Sequence, residues 1–269
     1  MRYFEPTLQL AVLLPPQAHL EEKFGGLPWG LPQPRWPLCT ACKKPQSFIG
    51  QFTHDHGRLD LGAFGRVLFI FQCNHDPGGC ETWAPRSGAN ACVFVDAVDL
   101  VNGFTHAPTT DTLIETEARV TDWTISEDDV EDEDAAAFYD DARYFAVDED
   151  VRETVAPTTK FGSVPSWVQG AGEGPKAPFC FVAQFDCSHR FAGPAPTADA
   201  VGCTVTTKNG ERYVHTEPRQ RKSGAPPWIT IDDDGYYCGS ANFGDAGTAY
   251  VFVRADAGKP EGVFFWQCG

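Results

Sequence analysis

The chain has 269 residues, 42% of them hydrophobic and 13% aromatic, with a formal net charge of −16 and ten cysteines. That apolar content is ample for a packed core and excludes disorder over most of the length, and the acidic balance excludes a broad basic face for nucleic acid. Nothing approaches the length of a transmembrane helix. The short LQLAVLLPP at 8–16 has only Arg2 before it and no small-residue cleavage site after it. This reads as a soluble cytoplasmic protein with reduced thiols, not a secreted disulfide scaffold.

In chain order, the first expectation is a short helix within 8–24, near LQLAVLL and AHLEEKF. Strands follow at SFIGQF, VLFIFQC and CVFVDAV, β-branched and aromatic runs bounded by Gly, Pro, Asn and Asp. The stretch 129–145 has room for one or two helical turns. FCFVAQF, GCTVTTK, WITIDD, AYVFVR and GVFFWQC are five further strands. Twenty-one prolines and twenty-six glycines fit a turn-rich β protein. The fold class is therefore α+β and strongly β-rich.

Cys39 and Cys42 form C-x-x-C in PLCTACKKP, and Cys73 and Cys80 flank a second turn in QCNHDPGGC. Two short-spaced pairs separated by a strand-sized segment are how a zinc knuckle is built, because tetrahedral Zn²⁺ needs four converging ligands. Pro77-Gly78-Gly79 supplies a turn that returns Cys80 towards Cys73. Four protein ligands leave no open position, so such a zinc is structural. Two other readings compete: His75 replacing one sulfur, and four buried thiols packed as small hydrophobes.

Residues 127–150 carry twelve acidic side chains and one base, a local net of −11, which leaves −5 for everything else. Asp128, Asp129, Glu131, Asp132, Glu133, Asp134, Asp140 and Asp141 are the candidate partner-binding residues of this segment. A field this concentrated steers a basic protein; the competing reading is a solvated insertion that aids solubility. The embedded Phe138, Tyr139, Tyr144 and Phe145 favour a segment that docks on something.

No catalytic constellation stands out. His54 and His56, with Asp55 and Asp60, form either a metal or acid–base cluster or a polar surface loop. Asp245, in FGDAG, either contacts a ligand or caps a turn. Gln51 and Gln184 are read as braces for neighbouring backbone, and Trp29, Trp167, Trp228 and Trp266 as packing. Cys180 and Cys187 repeat the spacing of Cys73 and Cys80, but no second C-x-x-C accompanies them.

The chain also repeats itself. FGGLPWGLPQ (24–33) and QSFIGQF (46–52) return as FGSVPSWVQ (161–169) and FCFVAQF (179–185), and GRVLFIFQC (65–73) parallels GTAYVFVR (247–254). This predicts two related β-rich halves packed as one domain with an inserted zinc knuckle. The first half spans 1–110 with the knuckle at about 36–82, the acidic insertion 111–155, and the second half 156–269.

In GGLPWGLP (25–32), WP (36–37), CTACKKPQSFIGQF (39–52), FGSVPSWVQ (161–169), FGDAGTAYVFV (243–253) and FFWQCG (264–269), the chain resembles the DUF1963, or YwqG-like, family. Its C-x-x-C followed by KP and an apolar strand is similar to zinc-bearing proteins of the programmed-cell-death-protein-2 type. The resemblance implies a β-rich fold of two related halves. It implies no settled activity: YwqG-like members occur as candidate immunity proteins beside polymorphic toxins, and the eukaryotic relatives act as chaperones for a ribosomal protein. The expectation drawn here is a non-enzymatic protein-binding protein, an immunity protein neutralising a polymorphic toxin or, alternatively, a chaperone for a basic ribosomal protein. A small-ligand site or enzyme between the halves is a third expectation. The cysteine pairs and the acidic insertion depart from the simpler bacterial pattern of the family.

Overall fold

The computed structural model describes residues 1–191, 241–255 and 259–269, together with the backbone of four strands at 203–208, 211–216, 228–232 and 235–239. In chain order the strands are β1 (Arg2–Leu10), β2 (Lys23–Phe24), β3 (Ser47–Thr53), β4 (Val67–Gln72), β5 (Asn90–Val95), β6 (Ala118–Glu127), β7 (Lys160–Gly162) and β8 (Cys180–Asp186). They continue as β9 (Ser188–Phe191), β10 (Cys203–Lys208), β11 (Glu211–Thr216), β12 (Trp228–Asp232), β13 (Gly235–Gly239), β14 (Thr248–Arg254) and β15 (Glu261–Gln267). Two short α-helices, α1 (Asp141–Tyr144) and α2 (Glu149–Thr154), lie in the acidic segment behind a 3-10 turn at Ala135–Tyr139.

β1 and β6 form the longest ladder, antiparallel from Arg2↔Glu127 to Leu10↔Ala118. From β6 the sheet continues through β2, β3 and β4 to β5; from β1 it continues through β7, β8 and β14 to β15. Every step of that ten-strand order is antiparallel, and β15 returns alongside β5, so the sheet is nearly closed. A second run, β10-β11-β12-β13-β9, joins β1 at a single parallel contact, Leu8↔Phe191.

Side chains alternate across each strand. Leu68 and Ile70 of β4, Val251 and Val253 of β14, and Phe264 and Trp266 of β15 join a central cluster with Leu8, Phe24, Phe52, Phe161 and Phe185. The intervening residues pack into separate outer clusters: Val67, Phe69 and Phe71 against Leu31 and Trp36, and Tyr250, Phe252 and Phe265 against Trp167, Phe138 and Tyr144. Burial on both faces explains why these strands read as unbroken apolar runs. Each buried Phe contributes about 1.5–3 kcal/mol relative to an exposed one.

The expected helix near LQLAVLL is absent. Those residues finish β1 and then make one 3-10 turn at Ala11–Leu13. Leu8 and Leu10 alternate into the core at strand spacing, and Pro15-Pro16 blocks helical continuation. The helical turns expected within 129–145 are present. Trp167 and Trp266 are buried and Trp29 is half-buried, its ring edge-on to Phe104 at 4.8 Å; the Trp228 side chain lies outside the described residues.

Candidate metal centre

The C-x-x-C turn leaves the outer cluster at Trp36 and is closed by backbone bonds from Cys39 N–H to Lys44 O (2.9 Å) and from Lys43 N–H to Cys39 O (3.0 Å). The second turn follows β4 directly. Cys73 N–H donates to Ala89 O (2.8 Å), and Cys80 N–H to Asp76 O (2.8 Å). Asp76 Oδ1 also accepts from Gly79 N–H (2.9 Å), which tightens the Pro77-Gly78-Gly79 bend.

The result brings the sulfurs of Cys39, Cys42, Cys73 and Cys80 within 4.8 Å of one another, and the Cys42–Cys73 separation is 3.6 Å. A tetrahedron of metal–sulfur bonds near 2.3 Å has edges of about 3.8 Å. A disulfide needs roughly 2.05 Å, far shorter than the sulfur separation seen. All four are free thiols; three are buried and Cys42 is half-buried. The donor set and its spacing fit a metal ion.

Their surroundings shift three of these thiols, in opposite directions. Burial would raise the Cys39 thiol, but backbone N–H groups of Cys42 and Ala41, with the Cys73 and Cys42 sulfurs, outweigh it and hold Cys39 below the ordinary thiol range. Burial pushes Cys73 well up and Cys80 up to about 11. Backbone N–H groups of His75 and Asp76 also aim at the Cys73 sulfur, so His75 serves this centre through its main chain. A dication supplies the positive charge that four crowded sulfurs lack and deprotonates them outright.

A second group, His54, His56 and Asp60, also converges within 4.8 Å. Here His54 Nδ1 accepts the Leu61 N–H at 2.9 Å, which assigns the ring proton to Nε2, 3.5 Å from His56 Nε2. Asp55 Oδ1 accepts from Gly57 and Arg58 N–H, and Asp60 Oδ1 from Gly62 N–H, so both carboxylates organise the turn.

The acidic candidates divide. Asp129, Glu131, Asp132, Glu133, Asp134 and Asp141 are exposed, and Asp140 is half-buried, its side chain accepting from Arg143 N–H to start α1. Asp128 corrects the expectation. Its side chain has no solvent exposure; its Oδ2 lies 2.6 Å from Lys160 Nζ and its Oδ1 accepts from Ala156 N–H at 2.8 Å. It holds the segment to the barrel and faces no partner.

Asp245 lies on an exposed turn, and its carbonyl accepts from Gly269 N–H. Among the described residues it joins no metal-competent group, and neither do Cys180 and Cys187. Thr82 and Asn90, just beyond Cys80 and at the start of β5, carry no signal in the sequence; nothing in their spacing marks them. Comparison of the chain with family models, curated proteins and solved structures gives no match.

Proposed function

We propose that this chain is a non-enzymatic protein-binding protein of the YwqG-like type, cytoplasmic and stabilised by a structural zinc, whose acidic segment docks a basic partner. The reading we favour is an immunity protein that blocks a toxin domain. One observation carries it. The carboxylates of Asp129, Glu131, Asp132, Glu133, Asp134 and Asp141 are exposed on a packed platform, because Phe138 and Tyr144 are buried beneath them and Trp167 Nε1 donates to Phe138 O at 2.7 Å. A solubility tail needs no such anchoring. Among the described residues no helix is long and apolar enough to cross a membrane.

The test is capture of partners by the full chain at low and moderate salt, with identification by mass spectrometry. A single basic toxin domain supports the immunity reading, and a ribosomal protein supports the chaperone alternative. Absence of a stoichiometric basic protein overturns both and directs attention to small ligands near Asp245.

Zinc is the metal that suits the centre. Thiolate sets select zinc or iron–sulfur chemistry, and four closed ligands on two turns match structural zinc.

We further propose that the ring consists of two copies of one five-strand unit, β1 to β5 and β6, β7, β8, β14 and β15. Buried Lys23 stands opposite Gln51, and buried Lys160 opposite Gln184. Gln51 Oε1 accepts from Trp29 N–H and Gln184 Oε1 from Ser166 N–H, both at 2.8 Å. In each copy the register slips two residues before the glutamine, at Ile49 and at Val182. In this alignment Trp29 corresponds to Ser166, one place before Trp167. The acidic segment and the cysteine loops are then insertions peculiar to one copy each.

A further inference from the structure

Among the described residues β5 pairs only with β4, and β15 only with β14, so their outer edges face each other without a ladder between them. Side-chain links bridge this seam. Asn90 Nδ2 donates both to Phe264 O of β15 (2.9 Å) and to Thr82 O (2.6 Å). Trp266 Nε1 of β15 donates to Thr82 Oγ1 at 3.0 Å, and the Trp83 ring meets the Trp266 ring at 6.3 Å. Gly262 lies so close to Cys92 that a methyl group there would come within 2.5 Å of the Cys92 Cβ. Apart from Asn90, which opens β5, and the approach of Gly262 to Cys92 and Phe94, these links run through the loop between Cys73 and Asn90.

That loop has almost no core of its own. Its buried apolar groups are Cys73, Cys80 and Ala89, which pack with Cys39 and the half-buried Cys42 of the C-x-x-C turn. Thr82 follows Cys80 by two residues, and Asn90 follows Ala89, whose carbonyl accepts from Cys73 N–H. The C-x-x-C turn grips the other side: Thr40 Oγ1 donates to Ser87 O (2.7 Å) and Thr40 N–H to Gly88 O (3.1 Å). A loop held by so few apolar contacts keeps its shape only while its sulfurs are drawn together.

We propose that the four-sulfur centre is the latch of the barrel: metal in place holds Thr82 and Asn90 against β15, and metal loss opens the β5–β15 seam while the β1–β6 ladder stays closed. This rests on the reading of the four cysteines as a metal site. The test is hydrogen exchange of the full chain, metal-loaded and after chelation, with metal content measured on the same samples. Amides of 90–95 and 261–267 should exchange at least tenfold faster without metal, and those of 2–10 and 118–127 should be unchanged. Asn90→Ala should raise exchange at the seam with the metal still bound.

Failure takes distinguishable forms. A protein that neither carries nor takes up metal overturns the metal centre and the latch with it. Metal that binds and leaves with no change at the seam overturns the latch alone, as does chelation that deprotects all strands equally. An Asn90→Ala protein with a fully protected seam also overturns it.

Discussion

Lys160 Nζ lies 2.6 Å from Asp128 Oδ2, and neither side chain touches solvent. The carboxylate closes the end of β6 and the ammonium opens β7, so this one pair fixes where the acidic segment leaves and re-enters the barrel. Burial alone lowers the Lys160 ammonium, and Asp128 opposes that shift. Breaking such a pair strands a charge in the interior. Asp128→Ala should destabilise the fold by about 3–5 kcal/mol, measured by urea unfolding. Asp128→Leu combined with Lys160→Met should recover most of that loss. An Asp128→Ala protein of unchanged midpoint would mean the pair contributes nothing.

His189 predicts an acid limb of the stability profile. Burial lowers its imidazole from 6.5 to about 4, and the Phe24 ring packs at 4.5 Å. The unfolded chain therefore takes up a proton near pH 6.5 that the folded chain refuses until about pH 4. Stability from this group is complete above the unfolded value and falls as pH drops through that window, by on the order of 3 kcal/mol. Unfolding curves between these limits check it, and His189→Leu should flatten the slope there.

The sulfur centre makes a stoichiometric prediction. The purified full chain should carry about one zinc per chain. Cys39→Ser or Cys73→Ser should reduce the metal content to near zero and lower the melting temperature, because binding energy at such a site is folding energy. His54→Ala and Cys180→Ser should leave metal content unchanged. Equal loss in those controls would show that the four-sulfur set is wrongly drawn.

For partner binding, neutralising Asp129, Glu131, Asp132, Glu133 and Asp134 to their amides should slow association with the basic partner about tenfold or more at low salt and flatten its salt dependence. Stopped-flow mixing reads both. An unchanged association rate would remove the acidic segment from the interface.

Gln51→Ala and Gln184→Ala should each cost about 1–3 kcal/mol, since each strands a backbone N–H and the carbonyls its amide reaches: Glu21 O for one, Ala156 O and Thr158 O for the other. Closely matched losses in thermal unfolding support the two-copy reading; a tolerated change at either position argues against it.

What the sequence disclosed follows from the range of the physics. The cysteine turns are local, so spacing and Pro-Gly-Gly alone announced the convergence of Cys39, Cys42, Cys73 and Cys80. Strands buried on both faces, such as β4 and β14, announced themselves by continuous apolar runs. β1 and β6 did not, because RYFEPTLQL and ARVTDWTISE each mix a buried end with exposed or half-exposed positions. Asp128 reads as one more acidic side chain of the segment because its lysine is thirty-two residues away. Thr82 and Asn90 matter through Trp266 and Phe264, and those distances exist only after the chain has folded.

β4 and β5 are paired neighbours, yet the cysteine loop sits between them; β8 and β14 are paired neighbours, yet β9 to β13 sit between them in sequence. The ends of such an excursion are already held together by a ladder, so each doubling of its length costs only about 0.6 kcal/mol of closure entropy. The barrel is thus a frame whose hairpin tips carry long excursions at little entropic cost, adding surface without changing the interior.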